Sequence, residues 1–259
     1  MCLKKFFIEG QILANEKILD DVYYMLLEAP EIADCAKPGQ FVHVKKNNSI
    51  NFLRRPLGIA EVDKKKGTIS LIYRIIGRGT AEYAAMTTGE QLSIVGPIGN
   101  GFTIKEGRPL VVGGGMGMAP LVFLTEQLQG KKPLVLVGGK TKQEVFWPKY
   151  MGKYADKIYV TTDDGSLGFK GFTVQLLPKI LEDNAVDDIY TCGPDIMMHS
   201  VARIAKKYGK SCQVSMEKRM ACGIGVCLGC TFTDKVTGKR RKVCVDGPVF
   251  PAEEVFDYE

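Results

Sequence analysis

The sequence predicts three successive parts: an antiparallel β-barrel or sandwich, an α/β domain on a parallel sheet, and a small C-terminal lobe organised by four cysteines. Three observations carry this expectation. Residues 6 to 100 alternate apolar and polar side chains between turn signals. From Pro109, apolar runs alternate with helix-patterned segments. Cys222, Cys227, Cys230 and Cys244 fall at C-x4-C-x2-C followed by x13-C. At 259 residues and 45% hydrophobic content, the chain can bury the cores of one or two domains plus an appendage.

In the first part the expected strands are Phe6 to Ala14, Val22 to Glu28, Gln40 to Val44, Leu57 to Val62, Thr68 to Ile76 and Gln91 to Val95. Pro30, Pro38-Gly39 and Gly67 punctuate them. One helix interrupts the strands: Thr80 is placed to cap Ala81 to Met86, and Gly77-Arg78-Gly79 leads into its N-terminus. A helix start preceded by glycines offers an anion free N–H groups and about half a positive charge. Arg54-Arg55-Pro56-Leu57, at a strand start, adds guanidinium forks that match phosphate oxygens. Each signal alone is also that of a plain cap or of surface charge. Together they point to a pyrophosphate held between the strand and the helix.

The change of pattern bounds the first domain at 1-102 and the second at 103-216. Apolar runs at Leu110 to Val112, Leu134 to Val137, Ile158 to Thr162, Ile189 to Cys192 and Gln213 to Ser215 predict a parallel sheet covered on both faces. Between them lie residues at helical spacing, such as Leu121, Leu124 and Leu128, or Met197, Val201, Ile204 and Ala205. Gly113, Gly114, Gly115 and Gly117 follow the first run and open a helix, where missing side chains admit a dinucleotide pyrophosphate to the backbone. A tight turn without ligand is the alternative. Cys192-Gly193-Pro194 ends the fourth run and would line the same crevice, although a free cysteine is also a common core residue.

Residues 217-259 make the expected third domain. Its cysteine spacing is the ligand run of a plant-type 2Fe-2S centre, three thiolates from a tight loop and a fourth from a returning hairpin. Gly223, Gly225 and Gly229 let the loop take positive φ and turn N–H groups toward sulfur. Zinc and disulfides are the competing readings. Zinc sites pair two C-x2-C halves or add two histidines, whereas one such half exists here and His43 and His199 are distant in sequence. Both histidines lie in apolar-patterned segments and read as structural. A disulfide framework belongs to exported chains, and the start of this chain lacks the apolar run of a signal peptide.

No stretch reaches the length of a membrane span, so a cytoplasmic protein with eight reduced cysteines is expected. The net charge of +6 is concentrated in Lys64-Lys65-Lys66 and Lys239-Arg240-Arg241-Lys242. Each run sits beside a turn glycine without interleaved aromatics, which favours solvated hairpin tips over nucleic-acid binding. The second run lies within the cysteine hairpin and could steer an acidic protein partner.

In this order, Arg55-Pro56-Leu57, Gly79-Thr80, Gly113 to Pro120 and Cys192-Gly193-Pro194 resemble the ferredoxin-reductase superfamily. With Arg54, Ile72-Tyr73-Arg74, the cysteine run and Val245 to Phe250, the whole chain resembles the electron-transfer subunits of NAD-dependent (class 1B) dihydroorotate dehydrogenases. That resemblance makes the first domain a flavin-binding β-barrel, with Arg54, Arg55, Pro56, Leu57, Ile72, Tyr73, Arg74, Gly79 and Thr80 holding FAD. It places a 2Fe-2S cluster on Cys222, Cys227, Cys230 and Cys244, and NAD at the Gly113 to Gly117 and Cys192 to Pro194 turns. It further implies a heterotetramer with an FMN-containing dihydroorotate dehydrogenase catalytic subunit, in pyrimidine biosynthesis, and no acid or base supplied by this chain. Leu57 and Gly58 stand where many superfamily members carry an aromatic and a hydroxyl residue, so flavin N5 would need a backbone donor.

A flavin explains why a hydride-exchanging nicotinamide site and a one-electron cluster share one chain. NAD is expected over NADP because Thr161 to Ser166 offers carboxylates and no arginine to a ribose 2′-phosphate, with Lys140 and Lys142 the nearby cations. Other flavin/iron-sulfur reductase subunits, of transhydrogenase, sulfide dehydrogenase or oxygenase-reductase type, are alternatives. So is a non-catalytic redox carrier or sensor.

Overall fold

A computed structural model describes residues 4–258, which fall into two compact units. The first contains the chain up to Gly101 together with Glu217–Thr231 and Lys242–Pro248. Here β1 (Phe6–Leu19), β2 (Val22–Glu28), β3 (Phe41–Lys46), β4 (Arg55–Asp63), β5 (Thr68–Arg74) and β6 (Gln91–Ile98) close a barrel in the order β1-β2-β5-β4-β3-β6. Every adjacent pair is antiparallel. Closure leaves no free sheet edge and gathers Ile12, Leu27, Val44, Leu71 and Ile94 into a fully buried core. β1 runs five residues past its expected end, carried through the β2 pairing by irregularities between Ile12 and Ala14 and between Lys17 and Leu19.

Two short helices belong to the barrel, α1 (Pro30–Cys35) and α2 (Arg78–Ala84). Pro30, expected as turn punctuation, opens α1, because a proline at the first helical position loses no hydrogen bond. Thr80 is not the N-cap of α2 but its third residue: its hydroxyl accepts N–H bonds from Ile76 (2.9 Å) and Gly77 (3.3 Å). The Lys64 to Lys66 run is a hairpin tip, where Asp63 Oδ1 accepts the N–H of Lys65 and of Lys66, each at 3.0 Å.

The second unit contains Phe102–Met216, Phe232–Arg241 and Val249–Glu259. Its strands are β7 (Pro109–Gly114), β8 (Leu134–Gly139), β9 (Lys157–Thr162), β10 (Phe169–Lys170), β11 (Asp188–Cys192) and β12 (Ser211–Ser215), with helices α3 (Ala119–Gln127), α4 (Pro148–Met151), α5 (Thr173–Asp183) and α6 (Asp195–Lys207). After them come β13 (Thr231–Thr233) and β14 (Arg240–Lys242), paired as a hairpin, then β15 (Val249–Pro251) and α7 (Ala252–Val255). The sheet order is β10-β9-β8-β7-β11-β12-β15, parallel except for β15. The chain winds one way from β7 and the other way from β11, so the switch point of the sheet lies between those two strands. On α6 the buried stripe is Met198, Val201, Ala202 and Ala205, one position off the expected Met197 and Ile204.

By their contacts the C-terminal residues from Glu217 are shared between the two units: Glu217–Thr231 and Lys242–Pro248 pack with the barrel, the intervening hairpin and the segment from Val249 with the parallel sheet. Phe250 on β15 is fully buried beside β12 in the parallel sheet, a burial worth about 1.5–3 kcal/mol. No helix among the described residues is long and apolar enough to cross a membrane.

Candidate iron-sulfur and cofactor sites

The four cysteines of the spaced run come together in the first unit as two pairs. Cys230 and Cys244 are buried with their sulfurs 3.3 Å apart. Cys222, half-buried, accepts N–H bonds on its sulfur from Ile224 (3.5 Å) and Cys227 (3.4 Å), and the exposed Cys227 thiol adjoins it. Burial opposes ionisation of Cys222, but the N–H groups of Cys227 and Ile224 outweigh it and bring the thiol down to about 6. Cys244 is pushed up to about 12, by burial first and then by the Cys230 thiol. Among the described residues no three His, Cys, Asp or Glu side chains are gathered as a single ion needs; the four thiols lie as two neighbouring pairs.

The loop owes its shape to left-handed residues. Gly223 (φ 67°), Gly225 (φ 89°) and Leu228 (φ 58°) alternate with ordinary ones, which turns successive N–H groups inward. There is no space for a Cβ at two of them: it would stand 2.5 Å from His43 Nδ1 at Gly223 and 2.6 Å from Val245 Cγ2 at Gly225. Around Cys244, Lys242 Nζ donates to the Gly225 carbonyl (3.3 Å), and Asn100 Nδ2 donates to the carbonyls of Val245 (3.2 Å) and Asp246 (3.0 Å).

On the barrel the expected flavin residues separate by role. Arg55 brings its guanidinium against Gly79, where a Cβ would lie 2.7 Å from it, so the glycine leaves the fork room beside the start of α2. Arg54 turns away. Its guanidinium donates to the Ser93 carbonyl (2.7 Å), Ser93 Oγ (2.9 Å) and the His43 carbonyl (3.2 Å), and lies over the Phe7 ring. Pro56 and Leu57 pair across the ladder with His43 and Val42 and stay partly exposed. Ile72 and Tyr73 are buried; the Tyr73 hydroxyl bonds Asn15 Oδ1 (3.2 Å), and burial raises its pKa. Arg74 forms an ion pair with Asp21 at 3.0 Å. Of the two guanidinium groups, only that of Arg55 lies beside Gly79 at the start of α2, while Arg54 is held on the barrel wall.

In the second unit the two expected nicotinamide turns meet at the switch point. Cys192 pairs with Gly113 across β11 and β7, and a Cβ on Gly117 would stand 2.5 Å from the Gly193 backbone. Gly113 and Gly114 lie as closely under Met118 and Met197. Gly115 (φ 55°) has open space where a side chain would go. Cys192 is buried, and Pro194 is exposed at the start of α6. Beyond β9, Asp164 accepts bonds from Ser166 N–H (2.9 Å) and Oγ (2.6 Å), which hold its carboxyl below the usual range.

Residues 217–256 match the family described as the iron-sulfur cluster binding domain of dihydroorotate dehydrogenase B. The chain is 35% identical to the "Dihydroorotate dehydrogenase B (NAD(+)), electron transfer subunit" of Desulforamulus reducens, over 95% of this chain and 97% of that one. It is 38% identical to the protein of the same name from Caldanaerobacter subterraneus subsp. tengcongensis, over 96% and 98%. The chain belongs to the family of dihydroorotate dehydrogenase B electron transfer subunits. Among solved structures, the NADH-dependent reduced ferredoxin-NADP oxidoreductase matches with a TM-score of 0.87 at 29% identity, over 95% of this chain and 89% of that one. A ferredoxin NADP+ reductase from Neisseria gonorrhoeae shares the fold at 17% identity, with a TM-score of 0.67 over 78% and 92%.

Two residues beside the cysteine loop and turn escape the sequence reading. Asn100, which holds the Cys244 turn, carries no motif. His43 reads as structural, yet it lies against Gly223 of the cluster loop. Its signal is its place on β3 two residues from each of Phe41 and Lys45, the alternate residues that share its face of the strand. His199 has Nε2 bonded to the Asp257 carbonyl (2.8 Å) and its ring stacked on Phe256.

Proposed function

We propose that the chain takes electrons from the FMN of a dihydroorotate-oxidising catalytic subunit, in a cytoplasmic heterotetramer, and passes them through a 2Fe-2S cluster and FAD to NAD. The observation that carries this reading is that one compact unit holds both a two-by-two thiol loop and an arginine–glycine phosphate cradle, in a chain of this family. When bound, the flavin exchanges single electrons with the cluster and a hydride with nicotinamide, which no side chain can do. The chain supplies position and charge. Cys222, Cys227, Cys230 and Cys244 hold iron, and the N–H groups at Ile224 and Cys227 stabilise thiolate charge. Arg55 meets the FAD pyrophosphate, while Gly117 and Gly193 let the NAD pyrophosphate approach the backbone. No residue is asked to transfer a proton.

Anaerobic mixing of the purified chain with NADH tests this reading. Rapid bleaching of bound flavin followed by the EPR signal of a reduced 2Fe-2S cluster is expected. A cluster-loaded chain whose flavin NADH leaves oxidised would be a carrier, and the reading fails.

The division of labour between the two arginines gives a sharper test. Arg55→Ala should weaken FAD binding about tenfold to a hundredfold, the range for losing one charge-assisted contact of about 1.5–3 kcal/mol, while melting temperature changes little. Arg54→Ala should mainly lower the melting temperature, because it strips partners from Ser93 and His43. The reverse pattern in fluorescence titration and thermal melts would reassign the cradle.

Nicotinamide choice follows from the ionised Asp164 beside Ser166. kcat/KM should favour NADH over NADPH by about tenfold or more, equivalent to a like-charge term of roughly 1.4 kcal/mol. Equal efficiencies would overturn the placement of that carboxylate at the ribose.

A further inference from the structure

His43 takes no part in the electron path described above, and its surroundings are unusual for a core residue. The ring is fully buried, yet neither Nδ1 nor Nε2 makes a hydrogen bond, whereas buried polar groups are almost always partnered. Its neighbours belong to both redox sites. The position a Cβ would take on Gly223 lies 2.5 Å from Nδ1. The main chains of Cys222 and Arg54 also come near enough to favour a proton on the ring, without the geometry of a full hydrogen bond. Across the β3–β4 ladder its partner is Pro56, inside the flavin motif. Whichever tautomer it takes, an imidazole ring offers at least one N–H. A leucine would fill such a place without burying two unpaired nitrogens.

We propose that His43 is a positioning residue of the cluster, its ring N–H directed at the Cys222-Gly223 turn, where it acts through the loop on the Cys222 thiolate and favours the reduced centre. A donor dipole beside the turn that carries a cluster thiolate would offset the negative charge that arrives with an electron, so removing it would make the cluster harder to reduce. The same contact sets the loop against β3. This inference rests on the cluster assignment proposed above.

The test uses the full chain, purified anaerobically with its iron and FAD. His43→Leu removes the N–H at similar size, and His43→Gln keeps a donor. Both should hold wild-type iron and FAD. In a dye-mediated titration read by EPR, the reduced-to-oxidised ratio of the His43→Leu cluster should fall about tenfold at a fixed ambient potential, which is about 59 mV for one electron. His43→Gln should recover most of that. Because the chain has two histidines, 15N-histidine labelling should give a ring-nitrogen coupling to the reduced cluster that His43→Gln loses and His199→Gln retains. An unchanged potential in a fully loaded His43→Leu protein, or no ring-nitrogen coupling in the wild type, overturns the proposal. If His43→Leu fails to load, His43→Gln decides: a wild-type potential supports the proposal and a tenfold loss sinks it. A wild-type chain without a cluster would overturn the cluster assignment itself, a separate and earlier failure.

Discussion

Cys244→Ser is expected to remove most of the iron and acid-labile sulfide while leaving FAD bound at the wild-type ratio. Cys244 is fully buried 3.3 Å from the Cys230 sulfur, so the variant places a hard, shorter oxygen donor where the turn offers no slack. That turn is fixed by Asn100 and by the Lys242 N–H, which donates to Asp246 Oδ2 at 2.6 Å. The flavin cradle is built from Arg55 on β4 and the start of α2, and neither relies on Cys244 for a hydrogen bond. Iron analysis and visible absorption of the anaerobic variant decide the matter. Full iron retention, or one zinc per chain in the wild type, would overturn the assignment.

The cluster was legible in the sequence because thiolate spacing is a local property: Cys222, Cys227 and Cys230 lie within nine residues of one another, and of the three glycines between them Gly223 and Gly225 take the expected positive φ, while Leu228 rather than Gly229 supplies the third left-handed residue. The barrel and parallel sheet were legible for a related reason, since burial imposes its period on each strand separately. What was not legible depends on tertiary contact. β15 is three residues long and becomes a strand only because β12 presents an edge to it. Likewise, Arg54 and Arg55 are equivalent in a sequence, and only the placement of Ser93 and Gly79 sets one on the barrel wall and the other against the start of α2. His43 is the extreme case. Its role is defined by a glycine 180 positions later, a relation that no local pattern contains.

The isolated chain is expected to reduce dyes with NADH and to leave dihydroorotate untouched, whereas co-expression with an FMN-containing catalytic subunit should give a stable complex that couples dihydroorotate oxidation to NAD reduction. The contact is expected between residues 220 and 245. On the cluster loop Ile224, Val226 and Leu228 are 50%, 74% and 54% exposed, an apolar rim of the kind that marks protein contacts, beside the one exposed thiol of the ligand set. The basic run contributes less than its sequence promises. Arg241 is held by Asp234 (3.1 Å) and Glu254 (3.2 Å), and Lys242 by the Gly225 carbonyl, which leaves Lys239 and Arg240 facing solvent. Val226→Asp should therefore weaken the complex about a hundredfold or more, because burying an unpaired carboxylate costs roughly 3 kcal/mol. Arg240→Glu should weaken it modestly and mainly at low salt. Arg241→Glu is a poor probe, since it breaks an internal ion pair first. Gel filtration and coupled assays across a salt series separate these outcomes. Subunits that fail to associate, or dihydroorotate oxidation by the lone chain, would count directly against the electron-transfer role.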